Sequence, residues 1–167
     1  MRKRNRKTGF SLIELLMVAA LLMIIMALTV PNLIRARYKA NETSAVASLK
    51  IIYGAENRYA ATFNSFSPNL SSLGPPAAGA APDNTAADFV DVVLAGRVAG
   101  APAQFLKAGY RFVYIPLGAY PAVRQYSISA DPVSRGSTGE RSFWMDQSGV
   151  VRYNSTASAT VADEPVL

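Results

Sequence analysis

The chain has 167 residues, which is enough for one modest domain with an anchoring segment and too few for two full-sized domains. It contains no cysteine and no histidine, which excludes structural disulfides, Cys/His zinc sites and any nucleophile activated by histidine. The net charge of +6 does not indicate a nucleic-acid-binding face, because five of the 17 Lys and Arg lie in the first nine residues and the rest of the chain carries 12 basic and 11 acidic side chains.

Residues 10–30 form a candidate membrane-spanning helix, since they are apolar apart from a few small polar side chains and one acid, Glu14. At about 1.5 Å per residue, a helix of this length covers about 31 Å, which matches the ~30 Å hydrocarbon core of a bilayer. The alternative is a buried helix of a soluble domain. The remaining chain is too short to cover such a helix on every side.

A secretory signal peptide also combines a basic start with an apolar stretch. Its apolar stretch usually has about 7–15 residues, and a small-residue cleavage site follows it. Here Arg35, Arg37 and Lys39 follow the span instead. Because the five basic residues of the first nine outnumber these three, the positive-inside rule predicts a cytoplasmic N-terminus, with the bulk of the chain outside.

Glu14 is the informative side chain of this segment. A carboxylate inside an apolar span costs about 2.5–3.5 kcal/mol on insertion scales, so it calls for a partner and a purpose. The alternative is that its side chain extends to the membrane surface, since Glu14 lies only four residues past Phe10.

The junction before this helix resembles the processing site of type IV prepilins and of the related type II secretion pseudopilins. The sequence KTGFSLIE over residues 7–14 has the family's basic leader ending in Gly, then Phe, three mostly small or apolar residues and Glu. A long apolar helix follows, and Pro31 falls where family members commonly carry a helix-kinking proline. The resemblance is close over about residues 1–60.

The resemblance implies how the N-terminus is processed. Residues 1–9 would be a leader whose last residue is Gly9, removed on the cytoplasmic side by a membrane prepilin peptidase. Phe10 would become the new N-terminus and be N-methylated by the same enzyme. Glu14, the fifth residue of the mature chain, would meet the terminal amine of a neighbouring subunit.

The resemblance also implies the partners and the location. The partners would be membrane lipid before assembly, an inner-membrane assembly platform, and further copies of the chain in a homopolymer. The precursor would cross the inner membrane once, and the assembled protein would be in an extracellular pilus or a periplasmic filament. Pairing of the amine with Glu14 is physically reasonable, because each charge is costly alone in an apolar region and the pair fixes the stagger of neighbouring helices.

Pro31 predicts a kink in this helix. It has no N–H for the carbonyl of Ala27, and its ring crowds the preceding turn. The alternative is a proline that only ends the membrane helix at 10–31. A helical rhythm of apolar residues resumes over 32–64, which favours a kink within one helix of roughly 50 residues.

The second half of the helix is predicted to pack against a globular head. Its apolar residues recur at three- and four-residue steps, which leaves other faces for Lys39, Glu42, Lys50, Asn57 and Arg58. Two alternatives are DNA binding through the Lys and Arg residues and electron transfer through Tyr38, Tyr53, Tyr59 and Phe63. A solvated face with interspersed acids such as Glu42 and Glu56, and ordinary core packing of the aromatic residues, are favoured.

Residues 65–167 are predicted to form the head. A turn-rich passage is followed by a surface loop, and Asp83 or Thr85 is expected to cap a short helix over 86–94 that Gly96 and Gly100 end. Strands are predicted at 110–115 and 126–130, with a hairpin joining 142–146 to 150–153. The fold class is therefore α+β: a long helix packed on an antiparallel sheet of about four strands, as in the pilin fold that the resemblance implies. The tail after Asn154 is expected to be loosely ordered or to lie along the surface.

The head offers no catalytic motif, so the chain is not expected to be an enzyme. Its acids are scattered, and turn-forming roles are favoured over convergence of Asp131, Glu140 and Asp146 on calcium. No catalytic residue, metal or cofactor is therefore predicted.

Three functions stay open. The favoured one is a structural pilin of an extracellular fibre for adhesion, motility or DNA uptake. The second is a pseudopilin whose periplasmic filament drives protein export. The third is a membrane-tethered enzyme or binding module.

Overall fold

The computed structural model of the protein describes residues 10–96 and 104–166. The chain divides into two compact units, Met1–Ala36 and Arg37–Leu167. Residues 1–9, the expected leader that ends at Gly9, and the expected helix end at Gly100 lie outside the described residues.

Helix α1 runs from Leu12 to Phe63 and has 52 residues. It ends where Asn64 takes a left-handed conformation, with φ of 60°, and donates its backbone N–H to the carbonyl of Ala60 at 2.9 Å. Asparagine is one of the few residues that adopt this conformation readily at a helix end. The single long helix expected from the sequence is confirmed.

The head contains one antiparallel sheet whose strands follow one another in sequence order. The described residues form six strands rather than the expected four or so, and the α+β class is confirmed. The strands are β1 Gln104–Lys107, β2 Tyr110–Leu117, β3 Gln125–Pro132, β4 Ser142–Asp146, β5 Arg152–Asn154 and β6 Glu164–Pro165.

The two additional strands lie at the edges of the sheet. Strand β1 joins β2 through Ala108 and Gly109, whose φ values of 49° and 73° are those of a two-residue hairpin turn. Strand β6 comes from the tail, which was expected to be loosely ordered or to lie along the surface. It pairs Glu164 with Tyr153 of β5, and both of its residues are exposed at the edge of the sheet.

The prediction of a short helix over 86–94 is wrong, because this segment forms turns. Its backbone N–H groups bond to earlier residues instead of to each other: Ala87 donates to Ser72, Asp88 to Gly74, and Phe89 to Leu73. The helical turn of this region lies earlier, as a 3-10 helix over Leu70–Leu73 whose cap is Asn69.

The core of the head lies between the inner face of the sheet and one face of α1. Strand alternation buries Tyr126, Ile128 and Ala130 on a single face of β3, which lies where a strand was predicted. Across the β4–β5 hairpin, Phe143 lies opposite Tyr153. The fully buried side chains of α1 include Leu49, Ile52 and Tyr59. Each buried large apolar side chain contributes about 1.5–3 kcal/mol.

Candidate functional site

The start of α1 is capped by its own residues. The carbonyl of Ser11 accepts the first helical hydrogen bond, from the backbone N–H of Leu15 at 3.2 Å. The carboxylate of Glu14 accepts a hydrogen bond from the backbone N–H of Ser11 at 2.9 Å. Together these bonds make Ser11 the N-cap and Glu14 the returning acid of a capping box.

The first half of α1 presents an apolar surface on all sides. Its large side chains from Leu12 to Met26 are exposed, and so is Phe10 just before the helix. Among the described residues, α1 is the one helix long and apolar enough to cross a bilayer, with a mean hydropathy of 2.7 over its most apolar part. Such a surface is stable only in lipid or against other apolar helices.

Helix α1 passes through position 31 without ending, so Pro31 does not terminate it. Two residues before Pro31, the hydroxyl of Thr29 donates a hydrogen bond to the carbonyl of Ile25 at 2.7 Å. Hydroxyl bonds of this kind often bend helices. The kink at Pro31 stays a prediction.

Two polar side chains of α1 bind the backbone of the loop between β3 and β4, residues 133–141. The hydroxyl of Tyr38 donates to the carbonyl of Gly136. One turn later, the amide of Asn41 donates to the carbonyl of Thr138 at 2.8 Å. The head therefore reaches the helix within two residues of the boundary between the two compact units.

Glu42 extends this contact into the interior. Its carboxylate accepts hydrogen bonds from Nε and Nη2 of Arg141 at 2.9 and 2.7 Å, and from the backbone N–H groups of Glu140 and Arg141 at 3.2 and 3.1 Å. Glu42 is 7% exposed. Four donors thus compensate a carboxylate that would otherwise be costly to bury.

Glu56 is buried deeper in the same helix face. Its carboxylate accepts the backbone N–H of Ser67 at 3.0 Å and the Ser67 hydroxyl at 2.5 Å, and the Tyr114 hydroxyl donates to the Ser67 carbonyl at 2.9 Å. Burial raises the pKa of Glu56 to about 6, because desolvation disfavours its charge more than these hydrogen bonds favour it. Burial likewise raises the pKa of the Tyr114 hydroxyl above its usual range.

Glu42 and Glu56 do not lie on the same surface of α1 as its exposed cations. Glu42 and Glu56 were expected among the solvated residues, but both are buried against the head. They therefore do not neutralise the basic face, whose exposed members are Arg35, Arg37, Lys39, Lys50 and Arg58. No local pattern in the sequence signals the burial of Glu42, since its partner Arg141 lies 99 positions away.

Arg135 holds the loop 133–141 and the tail together. Its guanidinium donates to Oγ of Ser142 at 2.7 Å, to the carbonyls of Ser155 and Ala157 at 2.9 and 3.0 Å, and to the carbonyl of Glu140. A planar group with several donors in fixed directions suits such a set of acceptors. This cross-link connects segments that lie about 20 residues apart in a chain without cysteine.

The three acids considered for calcium have separate surroundings. The carboxylate of Asp146 accepts the backbone N–H and the hydroxyl of Ser148, as a turn-forming acid does. Asp131 lies opposite Arg111 in the sheet register, and Glu140 contributes its backbone N–H to Glu42. The residues that the structure describes hold no group of three or more acids placed to bind a metal ion.

One feature of the N-terminal site could have been predicted from sequence. The pattern Ser-x-x-Glu over 11–14 is a capping-box pattern, and it indicates that Glu14 has a partner within its own chain. The structure thus gives Glu14 a local role in addition to any role between subunits. The peptide bond after Gly9 lies at the edge of the described region and is not part of this geometry.

Comparison with known proteins identifies the segment that contains this site. Residues 4–30 match the prokaryotic N-terminal methylation motif. The chain is 41% identical over 70 residues to the type IV wide pilus major component PilA4 of Thermus thermophilus, an alignment that covers 42% of this chain and 53% of that protein. It is 30% identical over 73 residues to the type IV major pilin protein PilA of Myxococcus xanthus, covering 44% of this chain and 33% of that protein. The matches thus span about half the length of one relative and a third of the other.

Proposed function

Because this chain belongs to the type IV pilin family, we propose that it is a structural subunit of a type IV pilus that polymerises through α1. The observation that carries the proposal is the apolar surface of α1, exposed on all sides from Leu12 to Met26 directly after the capped N-terminus that bears the methylation motif. That surface needs lipid before assembly and the helices of other copies afterwards.

Processing takes place at the bond between Gly9 and Phe10. The methylation motif supports this position, and Phe10 supports it as well because it is exposed and precedes the first helical residue by two positions. A membrane prepilin peptidase removes residues 1–9 at the cytoplasmic face, and the new amine of Phe10 is methylated. The precursor is thus anchored once in the inner membrane, with its N-terminus inside, until the assembly platform extracts it.

Glu14 then pairs with the N-terminal amine of a neighbouring subunit. Its carboxylate already accepts the N–H of Ser11 through one oxygen, and an ionised carboxylate offers about four acceptor positions. The cap therefore leaves room for an ammonium group. Pairing of the two charges across subunits neutralises both in an apolar surrounding and fixes the register of adjacent helices.

Substitutions at Glu14 separate capping from pairing. Glu14→Gln keeps an acceptor for the N–H of Ser11, since Gln also completes a capping box, but it lacks the charge. Glu14→Ala lacks both. We expect both variants to accumulate in the membrane at the wild-type level and to give little or no fibre in the sheared surface fraction, as measured by quantitative immunoblot. Normal fibre yield from Glu14→Gln would contradict pairing and leave capping as the role of Glu14.

The cleavage position is tested at Gly9. We expect Gly9→Val to leave a larger precursor in the inner membrane, and mass spectrometry of wild-type fibres to find N-methylated Phe10 as the first residue. Assembled material that retains residues 1–9 would contradict the proposal.

The pseudopilin alternative predicts a different phenotype. A deletion strain that keeps its surface fibres but no longer secretes exoenzymes would indicate a periplasmic secretion filament instead. The relatives named above are both pilus proteins, which is why the pilus is the proposal.

A further inference from the structure

The outer face of strands β1 and β2 carries an apolar surface. Strand alternation turns Leu106, Ile115 and Leu117 away from the core, and these side chains are 62%, 54% and 51% exposed. Arg111 lies opposite Leu106 in the register. We call these four residues the sheet patch. Large side chains exposed together in this way are typical of interaction surfaces.

The sheet patch lies in a basic part of the chain. Residues 104–124 include Lys107, Arg111 and Arg124 and no acid. Asp131 is the acid nearest in register, opposite Arg111, but it forms no ion pair with it, since the described residues contain only the ion pair of Glu42 with Arg141. The patch therefore presents positive charge together with apolar side chains.

A second exposed surface of the head has the opposite charge. Residues 83–93, the acidic loop, contain Asp83, Asp88 and Asp91 and no basic residue, and one cation from α1, Arg58, lies over the ring of Phe89 at 4.4 Å. All three aspartates are exposed, as are Val92 and Val93 at 50% and 40%. The acidic loop thus also combines charge with apolar side chains.

The acidic loop is held in one conformation by its own hydrogen bonds. The carboxylate of Asp83 accepts the backbone N–H groups of Thr85 and Ala86 at 2.8 and 3.0 Å, and that of Asp91 accepts the N–H of Leu94 at 2.8 Å. The bonds to Thr85 hold the pKa of Asp83 below its usual value, so it stays ionised. A preorganised surface loses less conformational entropy when it binds.

We propose that the sheet patch of one copy of this chain docks the acidic loop of a second copy. The inference rests on the proposed function and specifies which surfaces of the heads meet in the filament. Arg111 of the patch meets the aspartates of the loop, and apolar side chains on both surfaces supply the burial. The two surfaces differ, so the contact is heterologous, and a heterologous contact whose rotation does not close builds an open helical filament rather than a symmetric dimer.

The contact does not need high affinity of its own. Copies joined through α1 hold their heads at a high effective concentration, so a modest patch becomes occupied in the assembly. Opposite charges also favour this contact over one between two acidic loops or between two sheet patches.

Cross-linking tests the contact directly. The chain has no cysteine, so only the introduced cysteines can react with a thiol-specific reagent. Two full-length variants, Val93→Cys and Ile115→Cys, are co-expressed and treated with a short bismaleimide, in sheared fibres and in membranes. We expect cross-linked dimers from the pair, a ladder of multimers from the double variant, and neither from the single variants alone. The control pairs Val93→Cys with Val161→Cys, which is similarly exposed on the tail.

Charge reversal is a second test of the contact. Arg111→Glu is expected to lower the cross-linking yield about tenfold by like-charge repulsion. Asp88→Asn with Val92→Lys in the partner copy is expected to raise it again in part, because the loop then carries two acids and one base instead of three acids, and these changes leave the capping carboxylates of Asp83 and Asp91 in place. Fluorescence of Trp144, the single tryptophan, reports that each variant is folded.

The outcomes separate this inference from the proposed function. Cross-linking no higher than in the Val161→Cys control, in both membranes and fibres, overturns the docking contact even if fibres are normal. Dominant dimers of Val93→Cys with itself overturn it as well, because they indicate a symmetric contact. Absence of wild-type surface fibres contradicts the pilus proposal, whereas cross-linking in membranes still tests the contact.

Discussion

The carboxylate of Glu42 accepts two hydrogen bonds from the guanidinium of Arg141, although the two residues lie 99 positions apart. Through this pair, the first helical turns of the head are joined to the start of β4. The Glu42 side chain is almost fully buried and that of Arg141 is 37% exposed, so the pair is only partly screened by solvent.

Removing the carboxylate should weaken the head. We expect Glu42→Ala to lower the free energy of unfolding by about 1–3 kcal/mol, less than for a fully buried pair because Arg141 keeps contact with water. Urea unfolding of the full chain in detergent, followed by the fluorescence of Trp144, measures this. Glu140→Ala is the matched control, since the exposed Glu140 contributes only its backbone N–H to Glu42, and an equal loss there would contradict the assignment.

The burial of Glu56 predicts a pH dependence of stability. Its pKa is about 6 in the folded head against an ordinary 4.5, so the folded state binds the proton more tightly. Stability is therefore greatest below the unfolded pKa and falls as pH rises through the folded pKa, by about 2 kcal/mol in all. We expect Glu56→Gln to abolish this fall between about pH 4.5 and pH 6 in the same unfolding measurement. An unchanged slope in the variant would assign it to another group.

Two glycines with the same φ angle allow backbone strain to be distinguished from the steric overlap of an added Cβ. Gly136 and Gly149 both have φ of 76°, so alanine at either position carries a left-handed strain of about 1–2 kcal/mol. A Cβ at Gly136 meets nothing within 4 Å, whereas one at Gly149 lies 2.6 Å from the ring of Tyr53. We expect Gly149→Ala to lower the thermal midpoint more than Gly136→Ala. Equal shifts would show that the Tyr53 ring moves aside without cost.

The hydrogen bonds of Arg135 predict the behaviour of the tail. Arg135→Lys keeps the charge but cannot supply donors in the directions of Ser142, Ser155 and Ala157 together. We expect faster limited proteolysis within residues 155–163 in this variant. Arg124→Lys is the control, because Arg124 donates one hydrogen bond, to the carbonyl of Asn64. Similar cleavage of the tail in this variant would argue for a general loss of stability.

The parts of the fold that repeat a regular pattern are predictable from sequence. The apolar rhythm of α1 predicts the helix, and the alternation of Tyr126, Ile128 and Ala130 predicts β3. Strands β1 and β6 are too short, at four and two residues, to show a period. The turn at 87–90 depends on hydrogen bonds to residues 72–74, which override its local helical preference.

The candidate site also has features that the sequence indicates and features that it does not. The sequence indicates the junction at Gly9 and Phe10 and the acid Glu14, because these residues are consecutive or nearly so along the chain. It does not indicate the burial of Glu42 and Glu56, because charged residues on a helix usually face solvent and only the folded head supplies the donors of Arg141 and Ser67. Sequence patterns therefore predict the N-terminal site and miss the polar contacts that position the head.

The guanidinium of Arg135 joins the tail to the loop before β4 in a protein that has no thiol to oxidise. Its bonds form as soon as the two segments meet, so closure of the tail requires no oxidant, no isomerase and no particular redox environment. The same head can mature in a reducing or an oxidising compartment, and thiols in its surroundings leave this contact between loop and tail intact.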